Sequence, residues 1–566
     1  MKSNQVSIIA FALVSAMALN GCGVGLGPRP ALKPQTEPAN KQGDTERLPG
    51  EGTEAADWFT KGPADGVQGV DVEAVYKKLD LSRGKEIVVA VIDSGVDVNH
   101  EDLQGRIWVN EKEANGKPGV DDDGNGYIDD INGWSFLGGK DQDGKIVNIG
   151  AETLEVTREL VRLRKLKAEL EAKGEKLSEA DAKLFETYGA EVASSRAQAE
   201  VLKAPNAAAL EAIRAPFEVL KEKIGDMEKI VLAEIEKLET SNDAEAAAKA
   251  EIIKALKGAN AASVARLRAR VQYADDQLNY YYNEAFNPRA EIVKDNPNDF
   301  NDVNYGVNDV TGPDADHGTH VSGIIGAVRD NGLGIKGIAT NVKIMALRAV
   351  PNGDERDKDI ALAVRYAADN GANIINMSFG KSVSPGKGKI DEAFLYAANK
   401  GVLIVHAAGN SSEDIDTAAN FPNRNVLDPA RHGGVAEIPT WLEIGASSQF
   451  NDQRLTAVFS NYGKKNVDVF APGVDLNSTT PGNTYSVFSG TSMACPAAAG
   501  VAAVIWSQNP ELSASQVKAV LLKNARDKAD LPVLIPGTMT LAPFGTLSQT
   551  GGVAEVFSAL RALGKI

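Results

Sequence analysis

The sequence predicts an α/β protein whose parallel sheet is covered by helices on both faces and whose chain contains an inserted all-helical region. Continuous runs of β-branched and aliphatic residues alternate with amphipathic helical patterns in both halves of the chain. Strands that are apolar along their whole length need cover on both faces, which crossover helices supply. Residues 151–286 break this alternation, because they are rich in Ala, Glu, Lys and Leu and contain few strand formers.

The two parts of the predicted α/β unit are residues 58–150 and 287–566. A chain of 566 residues exceeds one ordinary domain, so an inserted or fused unit is expected. Helical spacing opens the unit at Val72–Leu81, and later helices are predicted at Asp359–Asn370 and Ile390–Lys400. Strands are predicted at four aliphatic runs, which are Ile87–Ile92, Val342–Ala346, Ile374–Met377 and Val402–His406.

The inserted region, residues 151–286, is predicted to form several antiparallel helices. Apolar residues spaced three or four apart predict one helical face, and they are Leu220, Ile224, Met227, Val231, Ile235 and Leu238. Residues that interrupt helices divide the block, and they are Gly174, Pro205, Pro216, Gly258 and Asn260. Two roles stay open. The block is either a packing or spacer bundle, or a module that contacts substrate, a propeptide-like segment or a partner protein.

The first 57 residues have the pattern of an export signal followed by a tether. Lys2 precedes an apolar run from Val6 to Leu19, which predicts a signal peptide at residues 1–21. The segment ending at Cys22 resembles a bacterial lipoprotein lipobox, which implies a lipid anchor in the cell envelope, at the outer membrane or the cell surface. Ordinary cleavage and an uncleaved anchor are the alternatives. Residues 22–57 are rich in Pro, Gly, Thr and Glu and are predicted to be a flexible tether.

Composition and charge argue against nucleic acid as a partner. The formal net charge is −17, and no cluster of Lys and Arg interleaved with aromatic residues occurs along the chain. The chain has two cysteines. If Cys22 is acylated, Cys495 has no partner for an intramolecular disulfide, so stability must come from the core and from bound metal.

Three short segments, far apart in sequence, each place a reactive group beside small residues. Asp93 ends a predicted strand, His317 opens a predicted helix, and Ser492 leads into a small apolar run. Each segment alone is ambiguous, since Asp and Ser often cap helices and a lone His is usually a core or surface residue. Together they supply the acid, base and nucleophile of a catalytic triad.

The chain order Asp, His, Ser and the residues around each member resemble the subtilase family. The resemblance implies that Asp93 orients His317, that His317 takes the proton of Ser492, and that Asn410 helps to hold the oxyanion. It also implies that the Ser378-Phe379-Gly380 segment pairs with extended substrate backbone, which favours protein substrates and requires no organic cofactor. A catalytically silent scaffold and an esterase are the alternatives.

The segment from Asp121 to Asp130 places oxygen donors at alternate positions around a glycine turn and resembles the first part of an EF-hand loop. Asn132 stands where the closing Glu of such a loop would be. We expect calcium ligands among Asp121, Asp123, Asn125 and Asp129, and Asp102 aligns with a calcium-ligating acid of many subtilases. A solvated acidic turn is the alternative.

Other polar residues near these motifs receive structural interpretations. His317 and His320 lie three apart without a third donor nearby, which is weak evidence for zinc. We expect His100 and His320 to support the site through packing or hydrogen bonds, and Cys495 to be a buried inert thiol. His406 stands where subtilases usually have a small residue.

Overall fold

A computed structural model describes residues 57–566, so the predicted signal peptide, Cys22 and nearly all of the tether lie outside the described residues. Within residues 57–566, every helix is too short or too polar to span a bilayer. The strands are β1 Ile87–Asp93, β2 Gly133–Ser135, β3 Gly138–Lys140, β4 Ile146–Asn148, β5 Val342–Arg348, β6 Ile374–Met377, β7 Leu403–Ala407, β8 Trp441–Ser447, β9 Val469–Pro472, β10 Leu476–Thr480, β11 Thr484–Phe488, β12 Arg526–Asp527, β13 Pro532–Leu534, β14 Leu541–Pro543 and β15 Gly552–Val553. The helices are α1 Val72–Tyr76, α2 Glu111–Ala114, α3 Glu155–Glu171, α4 Glu179–Ile224, α5 Leu232–Ile235, α6 Asp243–Gly258, α7 Val264–Asp276, α8 Arg289–Ile292, α9 Asp316–Gly326, α10 Asp357–Asp369, α11 Lys387–Asn399, α12 Thr491–Gln508, α13 Ala514–Lys523 and α14 Val556–Ala562.

The main sheet has nine strands in the order β12-β15-β9-β8-β7-β6-β1-β5-β2. All neighbouring pairs are parallel except β12 with β15. From β1 the chain runs to β2 and β5 on one side and then crosses to β6 on the other. This reversal lies beside β1, which is the position where ligand sites form in open parallel sheets.

Both faces of the sheet are covered, as the aliphatic runs predict. Along β1, Val89 and Val91 enter the apolar cluster that contains α9 and α12. Ala90 and Ile92 enter the opposite cluster, which contains α10 and α11. The alternation of side chains along a strand therefore delivers apolar residues to both layers.

The insertion is helical from α3 to α7, followed by a π-helical turn at Gln277–Tyr281. Its two ends meet, since the backbone N–H of Leu154 donates to the Tyr281 carbonyl at 3.1 Å and the Thr157 hydroxyl donates to the same oxygen at 2.8 Å. The insertion thus leaves and rejoins the α/β unit at one place.

Two details of the predicted helices are wrong. Pro205 and Pro216 lie inside α4, which spans 46 residues, instead of separating helices. The lost hydrogen bonds are tolerated because α4 packs against α3, α6 and α7 along its length. The apolar stripe from Leu220 to Leu238 is not one helical face, because α4 ends before Gly225, which has φ of +83°.

Candidate active site

The candidate site lies at the carboxyl edge of three neighbouring parallel strands. Asp93 is the last residue of β1, Ser378 follows β6, and Asn410 follows β7 by three residues. Two helices that pack against each other, α9 and α12, begin at the same edge and carry His317 and Ser492 as their second residues. Strand ends and helix starts therefore bring together five side chains that are far apart in sequence.

Asp93 and His317 form a direct hydrogen bond, with 2.7 Å between Oδ1 and Nδ1. Asp93 is 2% exposed, and the same oxygen accepts the Ser94 backbone N–H at 2.7 Å. Gly318 permits this approach of α9 to β1, because a Cβ there would lie 2.1 Å from the Gly95 carbonyl oxygen. The carboxylate therefore holds the imidazole in one tautomer, with Nε2 available as a proton acceptor.

The Ser492 hydroxyl donates to the Ser378 carbonyl at 3.1 Å, and the Ser378 hydroxyl donates back to the Ser492 carbonyl at 2.9 Å. These two bonds fix the start of α12 against the end of β6. Within residues 57–566, no hydrogen bond joins Ser492 to His317. Hydrogen bonds between a nucleophile and its base are often long without substrate and tighten in the substrate complex.

Two N–H donors converge beside Gly490. The side-chain Nδ2 of Asn410 and the backbone N of Ser492 each lie 3.5 Å from the place that a Cβ on Gly490 would occupy. Thr491 orients the amide, because its backbone N–H and its hydroxyl both donate to Asn410 Oδ1 at 2.9 Å. The Ser492 N–H lies in the first turn of α12, where it has no partner within the helix. This pocket can hold a developing oxyanion.

The predicted peptide-binding segment, residues 378–380, leaves the sheet directly after β6. Ser378 is buried, Phe379 is half-buried and Gly380 is exposed. A side chain at Gly380 would approach the Phe421 carbonyl oxygen to 3.2 Å. The Ser378 carbonyl faces the nucleophile, and Gly380 lies at the surface, where edge pairing with a peptide would take place.

His320 and Cys495 have structural roles. His320 stacks on Phe488 with ring centroids 4.3 Å apart, and burial lowers the pKa of His320 to about 3, which keeps the ring neutral. Cys495 is fully buried, and this burial raises the pKa of its thiol far above the ordinary range. A thiol with so little thiolate is a poor second nucleophile.

The predicted calcium loop brings Asp121 and Asp123 together with a third acid, Glu113. Their ligand oxygens lie within 4.8 Å of one another. Glu113 lies on α2 and is buried, and its carboxylate accepts the backbone N–H groups of Asp122 and Asp123 at 2.7 and 3.0 Å. Glu113 is not among the ligands predicted from the sequence, although its position eight residues before Asp121, upstream of the loop, is a usable signal.

Of the other expected metal ligands, Asn125 adjoins the acidic group, because its side-chain N–H donates to Asp123 Oδ2 at 3.2 Å, whereas Asp129 and Asp102 are not members of the group. Asn125 Oδ1 accepts the Tyr127 N–H at 2.7 Å, and Asp129 Oδ2 accepts the Gly119 N–H at 2.8 Å. Asp102 lies apart from the acidic group and is fully buried. Its two oxygens accept the Asn331 side-chain N–H at 2.7 Å and the Ile335 backbone N–H at 3.0 Å.

Comparison with known proteins agrees with this geometry. Residues 84–538 match the sequence profile described as the subtilase family. A thermophilic serine proteinase of Bacillus sp. (strain AK1) is 43% identical over 211 residues, covering 37% of this chain and 46% of that protein. Thermitase of Thermoactinomyces vulgaris is 40% identical over 213 residues, covering 38% of this chain and 67% of that protein. Subtilisin Savinase of Lederbergia lenta is 35% identical over 210 residues, covering 37% and 70%. The chain thus spans about half the length of the first of these relatives.

Proposed function

Because the chain belongs to the subtilase family, we propose that it is a serine endopeptidase that cleaves proteins through an acyl-enzyme intermediate. One observation carries the proposal. The Asp93–His317 hydrogen bond and the paired N–H donors of Asn410 and Ser492 converge at the same edge of the sheet. A base held in one tautomer beside a serine and an oxyanion pocket is the arrangement that acyl transfer needs.

The chemical steps follow from these positions. Ser492 Oγ attacks the peptide carbonyl while His317 Nε2 takes its proton, and Asp93 stabilises the imidazolium. Asn410 and the Ser492 N–H donate to the oxygen that becomes negative. For the equivalent side-chain donor, the known loss in subtilisin, a member of the same family, is about 3 to 4 kcal/mol of transition-state stabilisation. His317 then protonates the leaving amine and later activates the water that hydrolyses the acyl-enzyme.

A fluorophosphonate probe on the purified full chain tests this proposal. We expect covalent labelling of the wild type and of Ser515→Ala, whose serine is exposed on α13, but none of Ser492→Ala. Labelling should be accompanied by cleavage of an unfolded protein such as reduced casein. Folded wild-type protein without labelling at Ser492 would favour a silent scaffold, and turnover of small esters without protein cleavage would favour an esterase.

We propose export and lipid anchoring at Cys22, which would place the enzyme in the bacterial cell envelope, at the outer membrane or the cell surface. The support is the signal-like pattern from Lys2 to Leu19 and the lipobox-like segment that ends at Cys22. The test is labelled palmitate incorporation during bacterial expression. We expect Cys22→Ser to lose the label and Cys495→Ser to keep it, and equal labelling of both variants would overturn the proposal.

We further propose that calcium binds at Glu113, Asp121 and Asp123. The residues fit a hard cation, because ligand oxygens of three carboxylates lie within 4.8 Å of one another. A bound cation would neutralise this charge and brace the loop from α2 to β2. We expect added calcium to raise the melting temperature of the wild type but not of Asp121→Asn/Asp123→Asn. A wild-type melting temperature that calcium leaves unchanged would contradict the site.

A further inference from the structure

Two buried ionisable side chains, His406 and Glu443, lie behind the peptide-binding segment and have no role in the steps above. His406 is on β7, four residues before Asn410, and Glu443 is its register partner on β8. Their exposures are 0% and 2%. The ring Nδ1 of His406 lies 2.9 Å from Glu443 Oε1. Burying two ionisable side chains costs folding free energy, which their hydrogen bonds must offset.

His406 contacts the backbone of the peptide-binding segment directly. Its Nε2 lies 2.9 Å from the carbonyl oxygen of Phe379. The preceding carbonyl, that of Ser378, instead accepts the Ser492 hydroxyl at 3.1 Å. A Cβ on Gly380 would lie 3.8 Å from His406 Nε2. The segment is therefore held between the nucleophile and this histidine.

The hydrogen-bonding partners fix the orientation of the ring. A carbonyl oxygen can only accept, so Nε2 carries a hydrogen and donates it to Phe379. On the other side of the ring, Nδ1 faces Glu443 Oε1 at 2.9 Å. The other oxygen of Glu443 accepts the Trp441 indole N–H at 2.7 Å, and the Glu443 backbone N–H donates to Asp468 at 2.7 Å. Because both side chains are buried, rotation of the ring would leave polar atoms without hydrogen-bond partners.

We infer that His406, oriented by Glu443, is a positioning residue for the substrate. By holding the Phe379 carbonyl inward, it fixes the peptide planes on either side of Phe379 and so sets which backbone groups of residues 378–380 face a bound peptide. Substrates that pair along the segment depend on this geometry, whereas a small ester that reaches only Ser492 does not. The inference rests on the proposed endopeptidase function. The part of the substrate whose binding depends on His406 and Glu443 is its extended backbone.

A matched pair of variants tests the inference. His406→Gln keeps an N–H at about the position of Nε2, whereas His406→Asn is shorter and keeps only the contact toward Glu443. Active sites are counted by fluorophosphonate labelling, and kcat/KM per labelled site is measured for a long peptide and for a p-nitrophenyl ester. We expect His406→Asn to lose about 10- to 100-fold on the peptide, with little change on the ester. We expect His406→Gln to retain most peptide activity.

Glu443→Gln is the second variant if His406→Asn does not fold, because it leaves the ring in place and removes only the carboxylate that orients it. It should show a smaller loss with the same preference for the ester. Peptide-to-ester ratios equal to that of the wild type in every folded variant would overturn the inference. Equal losses in His406→Gln and His406→Asn would do so as well, because they would assign the effect to ring packing. Wild-type protein that is not labelled would instead overturn the proposed function.

Discussion

The helical insertion has two parts that are packed differently, since one pairs with residues of the α/β unit and the other packs within the insertion. We call the first part the root, which comprises Glu155, Arg158 and the residues of the α/β unit that they contact. The second is the distal arm, which comprises the C-terminal half of α4 with α6 and α7. The root buries charged side chains, whereas the arm buries apolar ones.

The root ends beside the peptide-binding segment. Lys381, which follows Gly380, is 1% exposed at its side chain, and its Nζ lies 2.8 Å from Glu155 and 2.7 Å from Asp357. Arg158 pairs with Glu155 at 2.7 Å. Burial alone would raise the pKa of Glu155, but the charges of Arg158 and Lys381 outweigh it and lower that pKa well below its usual range.

The distal arm resembles a small independent bundle. Its buried members include Ile213, Phe217, Ile252, Leu256 and Leu267. Its ion pairs include Lys257 with Glu236, whose side chains are 59% and 41% exposed, and Lys223 with Glu245, whose side chains are 31% and 16% exposed. Buried ion pairs demand one geometry, whereas an aliphatic cluster tolerates repacking. We therefore expect substitutions at the root to lower peptide turnover and substitutions in the arm to leave peptide turnover unchanged. Stability is best measured in the Ser492→Ala background, which avoids self-digestion.

The largest effect is expected from Lys381→Met, which removes the ammonium group that Glu155 and Asp357 both face. Breaking a buried pair in this way costs about 3 to 5 kcal/mol of unfolding free energy, and peptide turnover should fall with it. Urea unfolding and peptide kcat/KM measure the two effects. Lys389→Met is the control, because its pair with Glu392 is exposed. If both variants behave alike, the root is not coupled to the site.

Ile252→Ala should damage the arm without affecting catalysis. Ile252 is fully buried on α6, and its truncation leaves a cavity that costs about 2 to 5 kcal/mol. We expect faster protease cleavage within residues 206–267 and an unchanged peptide kcat/KM, with the half-buried neighbour Ile253→Ala showing a weaker effect. A matching loss of peptide activity would show that the arm is not independent of the site.

The root should also make stability depend on pH through Glu355. Burial raises the pKa of Glu355 from 4.5 to about 8, so the folded protein holds this proton more tightly than the unfolded chain does. Stability from this group is therefore fully present below pH 4.5 and declines as pH rises toward 8. In Glu355→Gln this part of the decline should disappear. Melting temperatures of Glu355→Gln and of its Ser492→Ala parent, measured between pH 4.5 and about 8, test whether Glu355 makes stability decline as pH rises.

The smallest effect is expected from Lys257→Ala in the arm. Its pair with Glu236 is exposed, so its loss should change the free energy of unfolding by no more than about 1 kcal/mol. Salt should reduce even this difference. A larger change, measured by urea unfolding, would mean that surface charges help to hold the arm together and would weaken the contrast with the root.

Much of the fold and of the site could be predicted from the sequence, because the signals are local. Aliphatic runs place β1, β6 and β7 within a residue or two of their observed bounds. The segments around Asp93, His317, Ser492 and Asn410 mark strand ends and helix starts, and parallel strands bring such ends to one edge. The resemblance to subtilases predicts the roles of these four residues.

Other features were decided only by the tertiary structure. Glu155 and Lys381 are 226 positions apart, and His406 and Glu443 are 37 apart. Nothing near any of these residues in sequence indicates its partner, since the contact depends on the path of the chain between them. Packing against neighbouring helices also keeps α4 helical at two prolines that would end an isolated helix. The sequence alone thus determined the sheet and the reactive groups, whereas the fold determined which buried charges meet behind and beside the peptide-binding segment.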